Sequence, residues 1–106
     1  MLVLLDENVP QRLRLLIVSH DVRTVAYQGW SGLLNGALLT AAEEAGFEVF
    51  VTADQSIHYQ QNMASRSIAL VVLSSNQLSL LVEHAEKITA AIDASTAGAF
   101  TFVDVG

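Results

Sequence analysis

Cysteine is absent from this chain, and with it go disulfides, thiolate metal ligands and any cysteine nucleophile. A chain without disulfides fits a cytoplasmic protein. Basic residues are scarce as well, five Lys and Arg against 11 Asp and Glu, for a formal net charge of -6. That balance counts against a broad basic groove for nucleic acid, because only Arg12, Arg14, Arg23, Arg66 and Lys87 can meet phosphates. A polyanion is expected to bind weakly unless a divalent cation held by carboxylates offsets the charge locally. No apolar run approaches the ~18 to 20 residues of a membrane span. The run Leu2 to Leu5 is too short, and lacks the basic lead-in, to be a secretory signal. Neither a Gly-x-Ser-x-Gly elbow nor a glycine-rich phosphate loop is present, so nucleophile chemistry has little support.

What the chain does have is apolar material, 52% of its 106 residues, enough for one core and one domain over residues 1–106. Its organising stretch is Leu2-Val3-Leu4-Leu5-Asp6-Glu7-Asn8, four β-formers stopped by two acids and an amide. Such a run reads as a buried strand that delivers Asp6 at its carboxyl end. The pattern recurs in Phe47-Glu48-Val49-Phe50-Val51-Thr52-Ala53-Asp54. If the two strands are parallel in one sheet, Asp6 and Asp54 emerge at the same edge, where open α/β sheets place ligands.

Between these strands, Asn8 and Pro10 suit the start of a crossover helix carrying Val9, Leu13, Leu16 and Ile17 inward. Alternation over Asp21 to Val25 predicts a second strand. A glycine-punctuated loop holding Trp30 leads to a helix over Gly36 to Ala45. Asn35 caps it, Leu38, Leu39, Ala42 and Ala45 face inward, Glu43 and Glu44 face water, and Gly46 stops it. After Asp54 a short helix is expected, then a fully buried strand over Ser67 to Leu73. The longest helix opens at Ser75 or Asn76 and turns Leu78, Leu81, Val82, Ala85, Ile88 and Ile92 inward. A last strand covers Ala99 to Val105. The alternation of strands and helices implies an α/β three-layer sandwich with a mostly parallel sheet of about five strands.

Asp6, Asp54 and nearby side-chain amides would form an all-oxygen environment, the kind that Mg²⁺ or Mn²⁺ prefers. A bound ion of that sort orients water and stabilises charge on a phosphate oxygen, which is phosphodiester hydrolysis without a covalent nucleophile. The competing assignment makes Asp6 and Asp54 helix caps, a routine use of aspartate after strands. Glu7 stands as either a further ligand or a solvated neighbour, and Asn35 as either a site residue or a cap. His58 lies close enough in sequence to approach the site, though the surface is its simpler place. His84 belongs on the wet side of the long helix. Trp30, Tyr27 and Tyr59 offer stacking surfaces for bases, with packing against the sheet as the plainer role for Trp30. Gln60, Gln61 and Asn62 together suggest contact with a ligand or partner.

The pattern resembles the PIN-like domains, in particular the compact bacterial group related to the ribonucleases of toxin-antitoxin pairs. Leu5-Asp6-Glu7-Asn8-Val9-Pro10, Gly29-Trp30-Ser31-Gly32 before a helix, Val51-Thr52-Ala53-Asp54 and Ala69-Leu70-Val71-Val72-Leu73 carry the resemblance. It implies a Rossmann-like PIN fold and a Mg²⁺-dependent (or Mn²⁺-dependent) endoribonuclease whose RNA-cutting pocket an antitoxin protein masks. In that scheme Asp6 and Asp54 hold the metal, and Glu7 and Asn35 position metal or water. Arg12, Gln61 and Arg66 hold the substrate. Asn35 stands where such members often carry Asp, and an amide ligates through oxygen without supplying charge. The alternative from the same resemblance is a catalytically inactive interaction module. A receiver-like domain would show a Lys after its late strand, where Ser74-Ser75 stands instead. The apolar content also makes a homodimer an expectation.

Overall fold

Leu2–Leu5 forms β1, and its place inside the sheet, away from either edge, follows from having no polar side chain for either face. The computed structural model describes residues 1–106, the side chain of His58 excepted. The other strands are β2 (Asp21–Thr24), β3 (Val49–Thr52), β4 (Ala69–Leu73) and β5 (Phe100–Val103). They join in the order β2-β1-β3-β4-β5, and every pairing is parallel. The α/β sandwich expected from the sequence is therefore present, with a sheet that is wholly parallel. β3 and β4 are buried along their entire lengths, as strands covered on both faces must be. β2 and β5 are the edges: β2 alternates between exposed and partly covered positions, and β5 does so until Val103, which is buried.

The helices are α1 (Asn35–Glu44), α2 (Ile57–Gln60), α3 (Leu78–Glu83) and α4 (Ala85–Asp93). One face of the sheet, with Val3, Leu5, Val49, Val51, Val71 and Leu73, packs against Leu13, Ile17, Leu81, Ile88 and Ile92. The opposite face, with Leu4, Phe50, Leu70 and Val72, packs against Leu38, Leu39, Ala42 and Ile57. Because β1 and β3 are neighbours while β2 lies on the far side of β1, the chain changes winding direction between β1 and β3. That is the topological switch point, and its crevice opens at the carboxyl ends of both strands.

Several local expectations give way to packing. The first crossover is a 3₁₀ turn, Gln11–Leu15, and Asn8 does not cap it. Asn8 bonds instead to Thr52 and to the amide of Ala53. The long carboxyl-proximal helix is two helices, broken at His84 (φ -109°, ψ 20°), and Val82 is 52% exposed instead of inward. His84 is half-buried at that break, with Nδ1 against the Leu80 carbonyl, not on the wet side of one continuous helix. In α1, Asn35 is the first helical residue, Ala45 is exposed, and Glu43 turns to Arg66 instead of water. Gly46 does end the helix, in the left-handed conformation (φ 88°) that a side chain would oppose.

Candidate metal and phosphodiester site at the sheet switch point

Thr52, the last residue of β3, is the one polar side chain fully buried among the described residues. A buried hydroxyl needs partners, and this one has them on all sides. It donates to Asp6 Oδ2 at 2.7 Å and accepts from the Asp54 amide at 3.0 Å and from Asn8 Nδ2 at 3.2 Å. Asn8 Oδ1 in turn accepts from the Ala53 amide at 3.1 Å. The ends of β1 and β3 are thus stitched together by one hydroxyl and one amide, and Asp6 and Asp54 stand on either side of the stitch. Parallel register makes this possible: Leu5 lies beside Val51, so the residues following both strands leave the sheet side by side.

Each acid is partly engaged locally. Asp6 Oδ1 accepts from the Glu7 amide at 2.8 Å. Asp54 Oδ1 accepts from both the amide and the hydroxyl of Ser56, at 3.0 and 2.8 Å. The Ser56 hydroxyl first, then the Ser56 amide, hold the Asp54 carboxyl below the usual range; burial pushes the other way, and Asn35 adds a further lowering contact. Asp54 is therefore an anion at neutral pH, as both a cap and a metal ligand require. Asn35 Nδ2 also donates to Gln60 Oε1 at 3.4 Å, and Gln60 Nε2 reaches back to Ser56 Oγ at 3.3 Å. A ring of Asp54, Ser56, Gln60 and Asn35 results, joining the loop after β3 to the first turn of α1.

The remaining sequence candidates divide. Glu7 is exposed beside Asp6 and accepts a hydrogen bond from Ser31 Oγ at 3.0 Å, which ties the rim to the glycine-punctuated loop. Arg12 is exposed on the 3₁₀ turn. Arg66 and Gln61 do not hold the rim: Arg66 pairs with Glu43 and donates to Gln61 Oε1 at 3.2 Å, beneath α1. Trp30 is half-buried with its ring edge-on to Phe47, centroids 5.8 Å apart, so packing is its role. The side chain of His58 lies outside the described residues. Sequence reasoning missed Thr52, Asn8 and Ser56 as site residues. Asn8 stands two residues after Asp6, where its spacing from Pro10 points to a helix start and not to the β1–β3 junction.

The donor set at the rim is all oxygen and suits a hard cation. Among the described residues no group of three His, Cys, Asp or Glu side chains converges. An ion here would rest on Asp6 and Asp54 and keep several waters, which is how Mg²⁺ commonly binds. As oriented, Asn35 serves Asp54 as a hydrogen-bond donor. A cavity of about 90 Å³ opens beside Asp6, lined by Glu7, Val9, Gln11, Thr24 and Ala26. No helix among the described residues is long and apolar enough to cross a membrane. No protein-family model, no curated protein and no solved structure matches this chain.

Proposed function

We propose that this chain is a PIN-like, Mg²⁺- or Mn²⁺-dependent endoribonuclease of the cytoplasm, acting at the rim formed by Asp6 and Asp54. The buried Thr52 hydroxyl supports this reading above all else, because it fixes Asp6 and the start of the Asp54 loop as one unit at the switch point. A hydroxyl spent this way costs little; it holds Asp6 at the side of a small cavity and Asp54 at the start of the adjoining loop. When bound, the ion supplies a polarised water and charge stabilisation for the phosphodiester.

The chain's own residues have separable tasks. Thr52 orients Asp6 by donating to one of its oxygens. Ser56 and Asn35 hold the Asp54 carboxyl below its usual range and fix its orientation. Glu7, exposed beside Asp6, is placed to accept a proton from an attacking water. A protein partner that covers the rim would complete the toxin-antitoxin arrangement. Leu34, 82% exposed and directly before Asn35, gives such a partner an apolar foothold.

A second reading, a non-catalytic interaction module, is favoured by one observation: Asp54 Oδ1 is bonded to Ser56 in the manner of a turn cap. The paired variant Asp6→Asn with Asp54→Asn separates the two. The nuclease reading expects loss of Mg²⁺-dependent cleavage of single-stranded RNA, with circular dichroism and melting temperature close to the parent. Equal cleavage by parent and variant, or failure of the parent to bind Mn²⁺ at millimolar concentration in calorimetry, would sink it.

A further inference from the structure

The five cationic side chains are not spread evenly. Arg66 is committed to Glu43, and Lys87 Nζ sits on the Asp104 carbonyl at 2.7 Å. The other three, Arg12, Arg14 and Arg23, lie on the 3₁₀ turn and on β2 beside it. Here, along the free edge of the sheet, runs an open cleft of about 330 Å³ lined by Gln11, Arg14, Asp21, Arg23, Thr24 and Tyr27. Two of these residues, Gln11 and Thr24, also line the small cavity beside Asp6. The cleft and the cavity beside Asp6 therefore adjoin, with Gln11 and Thr24 as their common wall.

We infer that this β2-edge cleft seats a single-stranded polynucleotide and leads it to Asp6; the inference rests on the nuclease reading and names the substrate path for it. The cleft carries two arginines against one aspartate, on a chain whose net charge is -6. Arg23 is held by Asp21 at 3.0 Å, but both side chains are well exposed (42% and 58%), and a surface pair of that kind is weak enough for a phosphate to displace. Tyr27, 78% exposed at the end of the cleft, presents a ring on which a base can stack. Cations along a groove with an aromatic beside them are the ordinary means of gripping a single strand without reading its sequence. A strand lying along β2 would run past Thr24 toward Asp6. A duplex, whose bases are stacked inside, would gain nothing from Tyr27.

The test is binding of a fluorescent oligouridylate followed by anisotropy, in EDTA and again in Mg²⁺ with the Asp6→Asn variant to prevent cleavage. Arg14→Ala with Arg23→Ala is expected to weaken binding and to flatten the dependence of log affinity on log salt by about 1.4, the share of two phosphates on a single strand. Tyr27→Ala is expected to weaken it about tenfold with the salt slope unchanged. All three positions are exposed, so these variants should melt like the parent. Binding that ignores all three substitutions overturns the inference, as does equal occupancy of the cleft by a polyglutamate peptide, which would make it a seat for an acidic protein strand. Cleft-dependent binding without cleavage by any form would remove the nuclease reading and leave the cleft assignment standing. Asp6-dependent cleavage with cleft-independent binding would do the reverse.

Discussion

Two of the polar clusters among the described residues, one at the switch point and one beneath α1, differ in how far the chain satisfies them. Beneath α1, Arg66 and Glu43 are 17% and 20% exposed, and the chain surrounds them. Glu43 takes Arg66 on one oxygen and the amide and hydroxyl of Ser67 on the other. Arg66 further donates to Thr40 Oγ1, the Gly36 carbonyl and Gln61. At the switch point, Thr52 is the saturated member, and the acids around it bond chiefly to their own loops. The first cluster closes a gap between α1 and the turn at 63–65; the second sets Asp6 beside a small cavity and Asp54 on the loop after β3. Polar residues buried to hold a fold exhaust their hydrogen-bonding capacity, and those at a site keep some.

Removing one partner from the closed cluster is the strongest way to break the contrast. Arg66→Ala leaves Glu43 largely covered with its charge uncompensated. It should cost about 2 kcal/mol, less than a fully buried pair would, and lower the melting temperature by on the order of 10 °C. Cleavage per folded molecule should be unchanged, and a variant that melts like the parent would show that the cluster carries no stability. Thr52→Val tests the other cluster. Losing the hydroxyl strands the Asp54 amide and frees Asp6, so about 1 kcal/mol of stability and a larger share of cleavage should go together. Thr52→Ser should restore both; restoration of stability alone would mean that Thr52 does not orient the acid. The smallest expected effect is in acid. Burial pushes the Glu43 carboxyl up, but the Ser67 amide, Arg66 and the Ser67 hydroxyl together outweigh it and hold it below the usual range. Its contribution is then present above the ordinary glutamate value of about 4.3 and is lost as pH falls below that. Acid titration of stability should accordingly be shallower in Glu43→Gln than in the parent, and coincident curves would contradict the assignment.

The contrast also marks how far the sequence could be read. Strands declared themselves, because a run such as Ala69 to Leu73 has only one comfortable place, between two covered faces. Asp6 and Asp54 followed, since parallel register brings the residues after adjacent strands to one rim. Thr52, Asn8, Arg66 and Glu43 did not follow, because hydrogen-bond partners separated by more than twenty residues leave no local periodicity. Glu43 lay on the face of α1 that its spacing assigned to water, and only the position of the Arg66 turn draws it in. The break at His84 was hidden for a related reason: an apolar stripe at helical spacing continues through it, while Val82 falls off the packed face.

A sheet whose strands all run the same way contains no hairpin, and this one places its first strand near its centre. Leu4 needs Arg23 on one side and Phe50 on the other before its backbone is enclosed. During synthesis β1 can pair with β2 early, but its other side must stay open until the polypeptide beyond residue 50 has emerged. Topologies built on such distant pairings assemble slowly and leave apolar segments open to misassociation in the interval. Slow refolding and a need for dilute conditions are what this arrangement imposes on anyone who unfolds the protein and tries to recover it.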